Sequence, residues 1–160
     1  MPTRLAKIAL VASIGVLLLL VALDNVLDYG TNFDVVQHIL AMDKMPPSPL
    51  QWRAITSPTL HHLVYWLIIA TEFVSALLSL YGAWLLWGQR AAEVRVFNGA
   101  KQMAFAGLAI GLLLYLFGFM AIGEWFQMWR AGDYNMEQPA FRFIGSIALV
   151  MLFLAQPDVE

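Results

Sequence analysis

The stretch "LHHLVYWLIIATEFVSALLSLYGAWLLW", residues 60–87, decides the fold. Past its opening histidines it holds a single Asp, Glu, Lys or Arg, and that residue is Glu72. A helix rises about 1.5 Å per residue, so some twenty apolar residues cover about 30 Å of hydrocarbon. Ser57 as N-cap and Pro58 at the first helical position mark where this helix begins. Two further runs have the same character. Residues 8–23 and residues 102–123 contain no charged group at all.

Composition agrees. Of 160 residues 61% are hydrophobic and 12% charged, about half the charge of a soluble domain, and mean hydropathy is +0.70. The chain reads as all-α: a four-helix transmembrane bundle in one membrane domain, 1–160, with spans at about 5–27, 58–87, 102–124 and 139–156. The fourth is the shortest, since only residues 143–155 are free of charge. The first follows Arg4 and Lys7, but "LVALDN" after it is a poor signal-cleavage site, so a retained helix is expected. There are no cysteines, which removes disulfides and thiolate metal sites. A net charge of −2 argues against nucleic acid as a partner.

Basic residues set the orientation. Arg4, Lys7, Arg90, Arg95 and Lys101 lie on one side; Lys44, Arg53, Arg130 and Arg142 lie on the other. The first group sits in short segments close to helix ends, which is expected to place both termini in the cytoplasm. The outer loops then cover about 28–57 and 125–138. Within the first, "NFDVVQHILAMDK" puts Phe33, Val36, Ile39 and Leu40 on one face, the pattern of a short amphipathic helix. The second carries Trp125, Phe126, Trp129 and Tyr134, an interfacial aromatic belt. Outer acids Asp24, Asp28 and Glu124 are expected to pair with Arg53, Arg130 and Arg142, tying loops to helix ends.

Inside lipid, helices associate through close backbone approach rather than hydrophobicity. Gly107, Gly111 and Gly118, with Ala104, form a small-residue stripe on the third span. Ser75, Ala76, Ser79 and Ala83 offer a matching face on the second. Packing within one bundle is the first reading of the stripe, and self-association through it the alternative. Glu72 sits on the face shared with Ser75, Ser79 and His61 and should point inward, because a bare intramembrane carboxylate is costly. Counted from its own outer end, the third span brings Tyr115 to the same depth. Tyr115 is the expected partner, with Thr71 or Ser75 as local ones.

The blocks "DYGTNFDVVQHILAMD" (28–43), "WRAITSPTLHHLVYWLIIATE" (52–72), "GFMAIGEWFQMW" (118–129) and "FRF" (141–143) resemble a bacterial family of predicted small integral membrane proteins, a domain of unknown function. The resemblance spans nearly the whole chain. It implies an inner-membrane location and four helices, and it carries no activity, cofactor or catalytic residues.

Nucleophile elbows, phosphate-binding glycine loops and paired catalytic carboxylates are not seen in the sequence, so an enzyme is not expected. Haem would require axial histidines within the spans, and none of His38, His61 and His62 lies deep in one, so no cofactor is expected. The leading functional reading is a non-catalytic accessory or interaction subunit, partnered by the bilayer and by other membrane subunits or a second copy. A small proton-coupled transporter using Glu72 is the alternative. A periplasm-facing metal-binding or sensing protein using His61, His62, His38 and Asp34 is the third reading, held back because metals need three or four convergent ligands.

Overall fold

A computed structural model describes residues 1–158. Helix α1 spans Pro2–Leu27, with Pro2 in its first turn. After Asp28 the chain turns into α2, Tyr29–Ala41, which ends at Met42 in the left-handed region (φ 52°). Helix α3 spans Pro58–Gly88, and the Ser57 side chain accepts a hydrogen bond from the Leu60 N–H at its head. The next apolar rod, residues 94–125, is assembled from α4 (Val94–Gly99), α5 (Gln102–Leu113), a π-helical stretch over Leu114–Ala121, and α6 (Ile122–Trp125). Two short 3-10 turns, Met128–Arg130 and Gly132–Tyr134, lead into α7, Glu137–Ala155. The rod therefore starts earlier than the expected 102, and α7 starts two residues before Pro139. Among the described residues, four helical stretches are long and apolar enough to cross a membrane.

Helix α3 is the central element, packed on α1 along one side and on α5 along the other, and α7 closes the bundle against α1, α5 and the π-helical stretch. Val11 and Leu18 of α1, Ala76 and Leu86 of α3, Leu108 of α5 and Ile147 of α7 form the buried interior. The amphipathic α2 buries Ile39 and Leu40 against Phe126 and Met128, a separate apolar cluster at one end of the bundle. That helix lies three residues earlier than its apolar pattern suggests.

Small residues set the spacing of α3 and α5. A Cβ on Gly107 would meet the Ser79 hydroxyl at 2.5 Å, and one on Gly111 would meet the Ser75 hydroxyl at 2.6 Å and Leu18 at 3.2 Å. Gly82 meets the backbone of Ala104 in the same way. The faces of Gly107 and Gly111 are thus covered by this chain's own α3. Gly118 differs from expectation: its Cβ would meet only Leu114, at 3.5 Å, an ordinary contact within its own helix. The stripe assumes about 100° per residue, whereas π-helical winding closes i to i+5 and advances less. Four residues into that stretch, Gly118 has rotated off the α3-facing side.

Candidate functional site: the Glu72 polar core

Glu72 lies about 20 Å along the axis from Pro58 and is 1% exposed. Two donors from other elements converge on its carboxyl group. Asn25, near the end of α1, donates from Nδ2 to Oε2 at 2.7 Å, and Tyr115, in the π-helical stretch, donates from Oη to Oε1 at 3.3 Å. Tyr65, two turns before Glu72 on the same face of α3, donates from Oη to the Asn25 carbonyl at 3.0 Å and to Oδ1 at 3.2 Å. This second bond fixes the amide: Oδ1 takes the Tyr65 hydroxyl, so Nδ2 faces the carboxyl group. The Tyr115 ring stacks on Phe143 of α7, centroids 4.3 Å apart and 10° from parallel. Side chains from α1, α3 and the π-helical stretch therefore meet at one carboxyl group, and α7 packs against the tyrosine that reaches it.

The expected local partners are turned elsewhere. Thr71 donates to the Leu67 carbonyl at 2.7 Å, the usual way a mid-helix threonine satisfies itself. Ser75 donates across to the Gly107 carbonyl of α5, also at 2.7 Å, an interhelical bond that needs Gly107 to come close. Asn25 is the residue the sequence reading missed. It follows Asp24 in "LDNVLD", where the apolar run gives way to polar residues, and nothing in its spacing ties it to Glu72.

The histidines serve separate contacts. His61 Nε2 lies 2.7 Å from the Ile55 carbonyl, holding the segment that leads into α3. His62 Nδ1 lies 2.7 Å from Tyr29 Oη, and its ring stacks on Phe33 at 4.1 Å. His38 sits between Asp34 (Nε2, 3.2 Å) and Asp43 (Nδ1, 2.7 Å). Asp34 and His38 are thus together while His61 and His62 stand apart from them. The two carboxylates occupy opposite edges of the His38 ring rather than one coordination point. Among the described residues no three His, Cys, Asp or Glu side chains converge as a metal would require. Asp34 is drawn to the loop that precedes α7, where Tyr134 Oη donates to its Oδ2 at 3.0 Å. That hydrogen bond is the main reason its carboxyl is held below the usual range.

Among the described residues, Arg53, Arg130 and Arg142 form none of the expected ion pairs with Asp24, Asp28 and Glu124. Arg53 lies 4.1 Å over the Trp125 ring and donates to the Trp125 carbonyl, and Arg130 donates to Gln127 Oε1 at 3.0 Å. A planar guanidinium stacks on an indole and bonds a carbonyl at the same time, and the aromatic loop supplies both. Beside Thr71, between α2, α3 and the π-helical stretch, lies a recess of about 420 Å3 lined by apolar side chains such as Val36, Leu40, Ile68, Ile110 and Phe119. The Thr71 hydroxyl, its polar side-chain group, is already bonded to Leu67.

A family model described as "Predicted small integral membrane protein (DUF2165)" matches residues 3–157. Among curated proteins and among solved structures, nothing matches the chain.

Proposed function

The chain belongs to the family of predicted small integral membrane proteins, and from that premise we propose that it is a non-catalytic accessory or interaction subunit of a larger assembly in the inner membrane. The supporting observation is how Glu72 is used. Both carboxyl oxygens take hydrogen bonds from the chain's own Asn25 and Tyr115, so the costliest group in the span joins helices to one another. Interhelical hydrogen bonds of this kind are worth about 1 kcal/mol each. The recess between α2, α3 and the π-helical stretch points the same way. Its apolar lining suits hydrocarbon or apolar side chains and gives a polar solute nothing to bind. Purification from native membranes in a mild detergent tests the reading. A larger membrane protein should co-purify in fixed stoichiometry through a second, orthogonal column; recovery of the bare chain counts against it.

One observation favours proton-coupled transport as a second reading: Tyr65, Asn25, Glu72 and Tyr115 form a continuous hydrogen-bonded line inside the span. Proteoliposomes loaded with a pH-sensitive dye separate the two. On the interaction reading, wild type and Glu72→Gln leak protons equally slowly. On the transport reading, wild type conducts and Glu72→Gln does not.

A further inference from the structure

At the end of the bundle that carries both termini, Lys7 of α1 and Lys101 at the head of α5 are buried, 1% and 5% exposed. Both ammonium groups lie 2.8 Å from one oxygen, Asp158 Oδ2. Both also donate to the Gln156 carbonyl, at 2.6 Å and 3.0 Å. Arg4, one turn earlier on α1, sits 4.6 Å over the Phe97 ring and donates to the carbonyls of Arg90 and Ala92. Its Nε stops 3.9 Å from Asp158 Oδ1, beyond hydrogen-bond range. The Asp158 N–H is held by Asn98 Oδ1 at 3.4 Å.

Among the described residues, three cations therefore surround one carboxylate. Buried ammonium groups are costly without a counter-charge, and this one is shared unevenly. Oδ2 takes both lysines, while Oδ1 meets Arg4 only at ion-pair distance, with no hydrogen bond between them. A tetrahedral phosphate carries enough oxygens to bond all three, and a guanidinium matches phosphate geometry well. The cluster sits at the ends of spanning helices, the level of lipid headgroups, where basic pockets between helices recognise anionic lipids.

We propose that Lys7, Lys101 and Arg4 form an anion seat for the phosphate group of an anionic membrane lipid, occupied in this structure by Asp158 of the chain's own C-terminal segment. The segment is an internal ligand, and lipid phosphate is its competitor. The seat lies apart from Glu72 and does not depend on a protein partner.

The test uses the full chain in nanodiscs of phosphatidylcholine alone or mixed with phosphatidylglycerol, reading the apparent melting temperature. Wild type should melt at nearly the same temperature in both. Asp158→Ala should fall by about 5–10 °C in neutral discs and regain more than half of that loss in anionic discs. Inorganic phosphate added to neutral discs separates lipid from free anion. Recovery there, without recovery in the anionic bilayer, overturns lipid as the source. The double variant Lys101→Gln, Asp158→Ala should show no lipid-dependent recovery, and equal recovery would overturn the seat. A melting temperature for Asp158→Ala equal to wild type in both lipids would also overturn it. Should alanine fail to fold, Asp158→Asn keeps an acceptor oxygen without the charge and gives the same comparison.

Discussion

A carboxyl group halfway along a spanning helix is tolerated when protein groups replace the water it gave up. At Glu72 the replacements are unequal. The Asn25 bond is shorter, 2.7 Å against 3.3 Å from Tyr115, and Asn25 also receives the Tyr65 hydroxyl. Asn25→Leu therefore takes from Glu72 its shorter hydrogen bond and leaves the Tyr65 hydroxyl with only the backbone carbonyl at that position, whereas Tyr115→Phe removes one bond and keeps the ring on Phe143. Tyr115→Phe should cost about 1 kcal/mol and Asn25→Leu distinctly more, measured by unfolding in bicelles. The reverse order would show that the tyrosine, not the amide, holds the carboxyl group. Part of this site was legible in the sequence. An acidic group in an apolar run must point inward, and counting residues from the helix ends reaches Tyr115. Asn25 was not legible, because an asparagine at the margin of a span looks the same whether it faces water or reaches across to the next helix.

The helices are the most legible elements, since hydrocarbon thickness converts directly into apolar run length. Helical phase is less so. The α-helical period carries the stripe through Gly107 and Gly111, but π winding over Leu114–Ala121 removes Gly118 from it, and no residue in "LYLFGFMA" announces that change. Alanine substitutions turn the difference into a measurement. Gly107→Ala drives a methyl into the backbone and hydroxyl of Ser79, and Gly111→Ala drives one into the Ser75 hydroxyl and Leu18. Gly118→Ala meets only Leu114 at van der Waals distance. Overpacking costs typically about 1–3 kcal/mol, so Gly107→Ala and Gly111→Ala should unfold in milder denaturant while Gly118→Ala stays within about 0.5 kcal/mol of wild type. Equal sensitivity at all three would mean that the stripe keeps its α-helical phase in the membrane. The C-terminal segment was illegible for another reason: Lys7 and Asp158 are 151 residues apart, and basic residues at helix ends read as orientation markers. Their contact has a pH signature. Burial opposes the charged form of Asp158, but the ammonium groups of Lys101 and Lys7 outweigh it and hold its carboxyl below the usual range. A depressed folded value means that the stabilisation is fully present above the unfolded value, about 3.9, and is lost as pH falls through the folded one. Acid melting of Asp158→Asn should lack that limb of the wild-type curve.

For the whole molecule, the contacts group the segments by end. Arg4 reaches Arg90 and Ala92, and Lys7 reaches Asp158, so the N-terminus, the connection between α3 and α5, and the C-terminus share one face. Helix α2 packs with Phe126 and Met128, so both long loops share the other. An even number of crossings produces that grouping, and α7, at 19 residues, is about 28 Å long, enough for one of them. The orientation expected from the sequence rests on charge during insertion, with Lys7 and Lys101 counted as free cations: five basic residues in short segments at the terminal end against four at the loop end. Reporters fused after residue 95 and at the C-terminus should read cytoplasmic, and reporters inserted near residues 48 and 134 periplasmic. A C-terminal fusion extends the segment that carries Asp158, so the fusion at 95 and the insertion at 48 serve as independent witnesses. If those two reverse while the C-terminus still agrees with residue 95, the bundle stands and is inverted. If the C-terminus alone disagrees, α7 does not cross, and the contacts of Lys7 and Lys101 with Asp158 cannot form in the membrane.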